Sequence, residues 1–166
     1  MQKSSKYIDI FTEWVGRLAG LTLLTLSALI VYDAFARYFF HSGSIALQEL
    51  EWHLFDVVMM FSIAYTLKYN QHVRVDLFYE HFSPKIKIFI DIFGTLFLIL
   101  PFSLLIIIYS LDFISLSISQ LESSSDPGGL PFRYLIKSLM FFSFVMVLMQ
   151  AISETLKSIK KLKGLS

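Results

Sequence analysis

The chain has 166 residues, 55% of them apolar and 17 of them phenylalanine, yet only 16% carry charge and the net charge is +1. A soluble domain of this length needs roughly a quarter of its residues charged to cover its surface, so the composition points to a bilayer as solvent. The absence of cysteine excludes disulfide, zinc-thiolate and thiol chemistry.

A helix needs about 20 residues, rising 1.5 Å each, to cross a hydrocarbon core. Four apolar runs meet that length, over about 14–40, 47–69, 86–111 and 132–155. The N-terminal stretch has no short apolar core with a small-residue cleavage site, and the first run is too long for a cleaved signal. It therefore reads as a retained span. Open-chain backbone satisfies its polar groups in lipid only as helix. The expected fold is an all-α integral membrane protein with a single four-helix domain over 1–166.

Taken in order, the first helix carries Asp33 and Arg37 four residues apart, toward the end that meets the short "HSGS" connection. The second opens on Glu49 and Glu51, with His53 one turn beyond Glu49 and Asp56 deeper in the span. The connection from Tyr69 to Lys87 holds His72, Arg74, Asp76, Glu80 and His81. His72 and Asp76 have the spacing of two ligands on one helical face, but no third ligand accompanies them. Val75, Phe78, Tyr79 and Phe82 form an apolar stripe opposite Arg74, Asp76, His81 and Lys85. The favoured reading is a short amphipathic helix lying on the cytoplasmic interface as a connector, rather than a metal site.

Ser83 and Pro84 read as the start of the third span, and Pro101 should kink that span. "DPGGLP", Asp126 to Pro131, reads as a turn with proline at its second corner and glycine at its third, after which Pro131 supplies the first helical residue of the fourth span. That span opens with Arg133 and Lys137 and is rich in Phe and Met.

Lysine and arginine gather at both termini and around the middle connection. The "HSGS" and "SISQLESSSDPGG" connections carry none. The positive-inside rule thus puts both termini and the middle connection in the cytoplasm, although Arg133 and Lys137 run against it.

A charge at the centre of a span costs about 2.5–3.5 kcal/mol on insertion scales, so these charges need partners. Asp33, Glu49 and Glu51 balance Arg37, Arg133 and Lys137. Pairing among the helices is the favoured reading, with contact to another subunit as the alternative. For Asp56, a structural hydrogen bond to Ser, Thr or Trp on a neighbouring helix is favoured over a transport-linked carboxylate. No pair of glycine-broken half-helices, the usual substrate and ion site of secondary transporters, is visible.

Three stretches carry a resemblance: "QELEWH", "HVRVDLFYEHFSP" and "DPGGLPFRYLIKS". With four spans in about this length, they resemble the small permease subunit of tripartite ATP-independent periplasmic (TRAP) transporters, the DctQ-like family. The wording "WHLF" and "DPGGLP" is most similar to the mannitol/chloroaromatic branch. The resemblance implies no enzyme. It implies a bacterial inner-membrane subunit of sodium-coupled organic-acid uptake that scaffolds a large permease subunit and works with a secreted solute-binding protein. Substrate and sodium sites would then lie in the large partner, and this chain would need no cofactor. Glu49, His72, Arg74 and Asp76 match as structural or interface positions, and Gly129, Leu130 and Pro131 as the turn. The rival expectations are a stand-alone proton-coupled exporter using Asp56 and a four-helix electron carrier. The latter needs histidines facing each other inside helices, and only His53 falls in a span.

Overall fold

The computed structural model describes residues 2–69 and 81–164. The expected interfacial helix, with His72, Arg74 and Asp76, lies outside them. Among the described residues there is helix and no strand: α1 Gln2–Phe40, α2 Ile45–Lys68, α3 Pro84–Gly94, α4 Leu100–Ser119 and α5 Arg133–Gly164. A π-helical segment, Thr95–Ile99, joins α3 to α4, so these three pieces form one continuous span. Among the described residues, four helical segments are long and apolar enough to cross a membrane.

The starts of two helices follow from local chemistry. Ser44 caps α2 by accepting the Leu47 N–H, and Ser83 caps α3 by accepting the Ile86 N–H, with Pro84 in the first turn where its missing N–H costs nothing. The disturbance expected at Pro101 takes the form of the π segment. There the Leu100 N–H reaches back five residues to the Thr95 carbonyl. A proline in regular α-helix collides with the carbonyl four residues earlier, and the wider π turn just before Pro101 opens that spacing.

α1 and α5 run further than their apolar parts. α1 has 39 residues and α5 has 32, about 58 and 48 Å against a hydrocarbon core of about 30 Å. On α1 the buried positions are Ser5, Thr12, Ala19, Leu26 and Asp33, one every seven residues. On α4, Ser103, Ser110 and Ser117 repeat the same interval. A seven-residue seam holds one stripe of a helix against neighbours that cross at a small angle. Small side chains along it let backbones approach closely where no water drives association.

α5 is the central post. It packs against α1, α2, α3 and α4, while α1 also packs along α2. The core is compact, built from Ala64 and Leu67 of α2 and Met146, Val147 and Ala151 of α5. Ser143 donates to the Met60 carbonyl across the α5–α2 contact. Gly16 lies under the Tyr65 ring of α2, where any Cβ would overlap the ring. Large apolar side chains such as Leu24, Phe97, Phe102 and Tyr109 face outward along the spans, as a surface bathed in lipid or covered by another membrane protein requires.

Candidate functional site

The two ends of the bundle each carry a polar cluster. One end holds the 41–44 and 120–132 connections. The other holds the start of α1, the end of α2, the start of α3 and the end of α5.

At the loop end, the turn is built as its residues dictate. The Gly129 N–H donates to the Asp126 carbonyl at 3.0 Å, and Gly128 takes φ +82° at the corner where only glycine sits without strain. Leu130 and Ser124 close the loop through the Ser124 N–H and the Leu130 carbonyl at 3.1 Å. Glu49, from the first turns of α2, reaches across and holds this loop. Its Oε2 accepts the Leu130 N–H at 2.5 Å, and its Oε1 accepts Arg133 Nη2 at 3.0 Å and the Ser124 hydroxyl. A Cβ on Gly129 would strike the Ser124 side chain and the Glu49 carboxylate. Glycine is therefore required there by a close approach rather than by its backbone angles. One carboxylate thus ties together α2, the loop and the head of α5.

Pro131 does not open α5 as expected. The helix begins at Arg133, and Phe132 stands before it with φ +64°. The cause is visible in the bonds on either side. The Leu130 N–H is held by Glu49, and the Arg133 N–H donates to the Glu122 carbonyl at 2.9 Å, so "GLP" is strapped across the helix ends.

Lys137 pairs with Glu122, a residue the sequence reading left out. Glu122 also accepts the Ser117 hydroxyl at 2.6 Å, and the Lys137 ammonium lies 4.2 Å from the Phe113 ring centroid. Asp33 and Arg37 form an ion pair at 2.8 Å, with Asp33 0% and Arg37 51% exposed. Neither Asp33 oxygen receives an aligned hydrogen bond among the described residues, and Glu51 Oε1 is likewise buried without one. His53 sits half-buried on α2. Asp56 does not make the hydrogen bond to a neighbouring helix that was favoured for it: no donor among the described residues reaches its carboxylate. It stands half-buried beside exposed Trp52, Phe55 and Met59 of α2.

The Glu49 oxygens already hold three donors, and among the described residues no three His, Asp or Glu side chains converge as a metal site. The profile of the family described as "Tripartite ATP-independent periplasmic transporters, DctQ component" matches residues 26–161. The chain belongs to the DctQ family. It is also 25% identical over 146 residues to the "Sialic acid TRAP transporter permease protein SiaT" of Haemophilus influenzae (strain 86-028NP), a match covering 86% of this chain and 22% of that protein. The chain therefore spans about a fifth of that relative's length.

In this DctQ-family chain the cluster at the opposite end is the part the sequence reading missed. Gln150, fully buried on α5, accepts the Thr12 hydroxyl at 2.8 Å and donates to Asp9 at 3.0 Å. Lys157 pairs with Asp9 at 2.8 Å and Glu154 at 2.7 Å, and Ser5 meets Ser153 at 2.6 Å. Glu13 joins α1 to the end of α2 through Lys68 and the Tyr69 hydroxyl, both at 2.6 Å. The Glu13 carboxylate beside Tyr69 pushes its phenol up to about 12. An amide in the apolar run of α5 was the available signal, since buried amides demand partners.

The loop-end cluster gives a pH prediction. The Lys137 ammonium, and after it the Ser117 hydroxyl, hold the Glu122 carboxyl below its ordinary value. A carboxyl lowered in the folded state adds stability above its unfolded pKa of about 4.3, and that contribution is lost as pH falls through the folded value. Thermal unfolding in detergent is expected to be level from neutral pH down to about pH 5 and to weaken below that. Glu122→Gln should flatten part of the acid limb; an unchanged limb would contradict the pairing.

Proposed function

We propose that this DctQ-family chain is the small, non-enzymatic membrane subunit of a binding-protein-dependent secondary transporter, and that it braces a large permease subunit without binding cargo. The observation that carries the reading is the match to a permease protein about four times its length. The fold supports it. Both polar clusters bind the helices of this chain to one another, as a fixed brace requires. An element that moves substrate through a membrane needs such a fixed body to move against.

In this reading both termini lie in the cytoplasm and the loop-end clasp faces outward in the bacterial inner membrane, near the secreted solute-binding protein. Sodium and substrate sites belong to the large subunit. The substrate class is an organic acid, in keeping with the sialic acid named for the relative. The competing reading is a small exporter centred on Asp56, which the lack of a partner for that carboxylate among the described residues favours. Co-expression with the large permease subunit of the same transporter separates the two. Affinity-tagged chain should recover the large subunit in equal amount from detergent extract. Recovery of the tagged chain alone, in a membrane where both proteins are present, would remove the subunit reading.

A further inference from the structure

Asp56 lies eleven residues from the first residue of α2 and twelve from its last, so roughly 17 Å of helix separates it from either end. With α2 spanning the bilayer, as in the reading above, that is near the middle of a hydrocarbon core about 30 Å thick. His53, one turn earlier, does not bond to it, nor does any other described residue. Asp112, another carboxylate with no partner among the described residues, is exposed and lies seven residues from the end of α4, closer to an interface. A carboxylate left at mid-membrane without a donor is strongly disfavoured. A chain that keeps one there must meet its donor on another molecule.

The surroundings suit a protein surface. Trp52 is 71% exposed, Phe55 49% and Met59 52%, and with Asp56 they occupy positions i, i+3, i+4 and i+7 of one helical face. Large, adaptable apolar side chains around a single polar group are the composition of an interface core. The occupant can be narrowed by its chemistry. Acyl chains offer no donor. A second copy docked across a two-fold axis along this face would bring the two Asp56 carboxylates toward each other. What fits is a different transmembrane helix presenting a Lys, Arg or hydroxyl group at the same depth.

The geometry points to the Trp52–Phe55–Asp56–Met59 face of α2 as the surface that grips the large permease subunit, with a mid-membrane cation or hydrogen-bond donor of that subunit meeting Asp56. This rests on the function proposed above and adds where the partner sits and what it must carry.

Photo-cross-linking in membranes holding both subunits tests it. p-Benzoylphenylalanine is placed at position 52, 55 or 59, and at 24 on α1 and 97 on the third span for comparison. Adducts with the large subunit, identified by mass spectrometry, are expected from 52, 55 and 59 well above those from 24 and 97. Asp56→Leu should lower recovery of the large subunit at least about tenfold, with Asp56→Asn in between. The same Asp56→Leu chain purified alone should be as heat-stable as the parent, because the group has no partner among the described residues. Adducts confined to 24 or 97 would overturn the docking face while leaving the subunit role intact. Adducts between two copies of this chain at 52, 55 or 59 would overturn it in favour of a homodimer. Absence of large-subunit adducts from every position, with no co-purification, would remove the subunit role as well. Loss of stability in isolated Asp56→Leu would show that the carboxylate serves the fold, and would also overturn the inference.

Discussion

Replacing Arg37 with alanine is expected to destabilise the folded chain by about 3 kcal/mol, the lower end of the range for stripping a buried charge of its partner. The lower end applies because Arg37 is half exposed while Asp33 is fully buried. Asp33 sits on the seven-residue seam of α1, inside the helix contact. With the guanidinium gone, neither carboxylate oxygen has a partner to replace it among the described residues. The ion pair itself need not stabilise: exchanging both members of a buried pair for apolar residues is often neutral or favourable. Arg37→Ala should therefore unfold at lower temperature and give less protein, and Asp33→Leu/Arg37→Leu should restore most of the loss. Thermal unfolding in detergent measures both. Parental stability in the single variant would mean that Asp33 finds another partner, and failure of the double variant to recover would mean that the pair itself is needed.

Glu49→Ala should have the next largest effect. It leaves the Leu130 N–H, the Ser124 hydroxyl and the Arg133 guanidinium without the carboxylate that gathers them. A lost acceptor for a charged donor costs more than the bond it made, because the donor stays desolvated. The thermal midpoint is expected to fall by about 5 °C or more, and trypsin should cut after Arg133 faster than in the parent. Arg133→Ala removes a single donor and should cost less. Equal midpoints and equal cleavage rates in Glu49→Ala and the parent would show that the loop is held by its own turn instead.

Much of this architecture was legible because the physics is local or periodic. Long uncharged runs mark the spans, Ser83–Pro84 marks a helix start, and "DPGG" demands the turn it forms. The first thirteen residues were harder to read, since they carry Lys3, Lys6, Asp9 and Glu13 and resemble a polar tail. From Gln2 onward they are helical, held as Thr12 and Asp9 meet Gln150 and Lys157, more than a hundred residues away. Only the packed structure brings those groups together. Pro131 failed as a helix start for a similar reason. Local preference allowed it, but the strap to Glu49 displaced it. Glu122 escaped notice because it sits in a polar loop, where a charge ordinarily needs no partner. The charges on one helix face were easier to read than those across helices: Asp33–Arg37 follows from spacing alone, whereas Lys137–Glu122 depends on how α4 returns to α5.

Solute flux from a single-component preparation is the most direct test of the central claim. The purified chain is placed in liposomes with an inward sodium gradient and offered labelled sialic acid and small hydroxy- and oxo-acids. No uptake above protein-free vesicles is expected until the large permease subunit and its loaded binding protein are added. Sustained uptake by the chain alone would contradict the account.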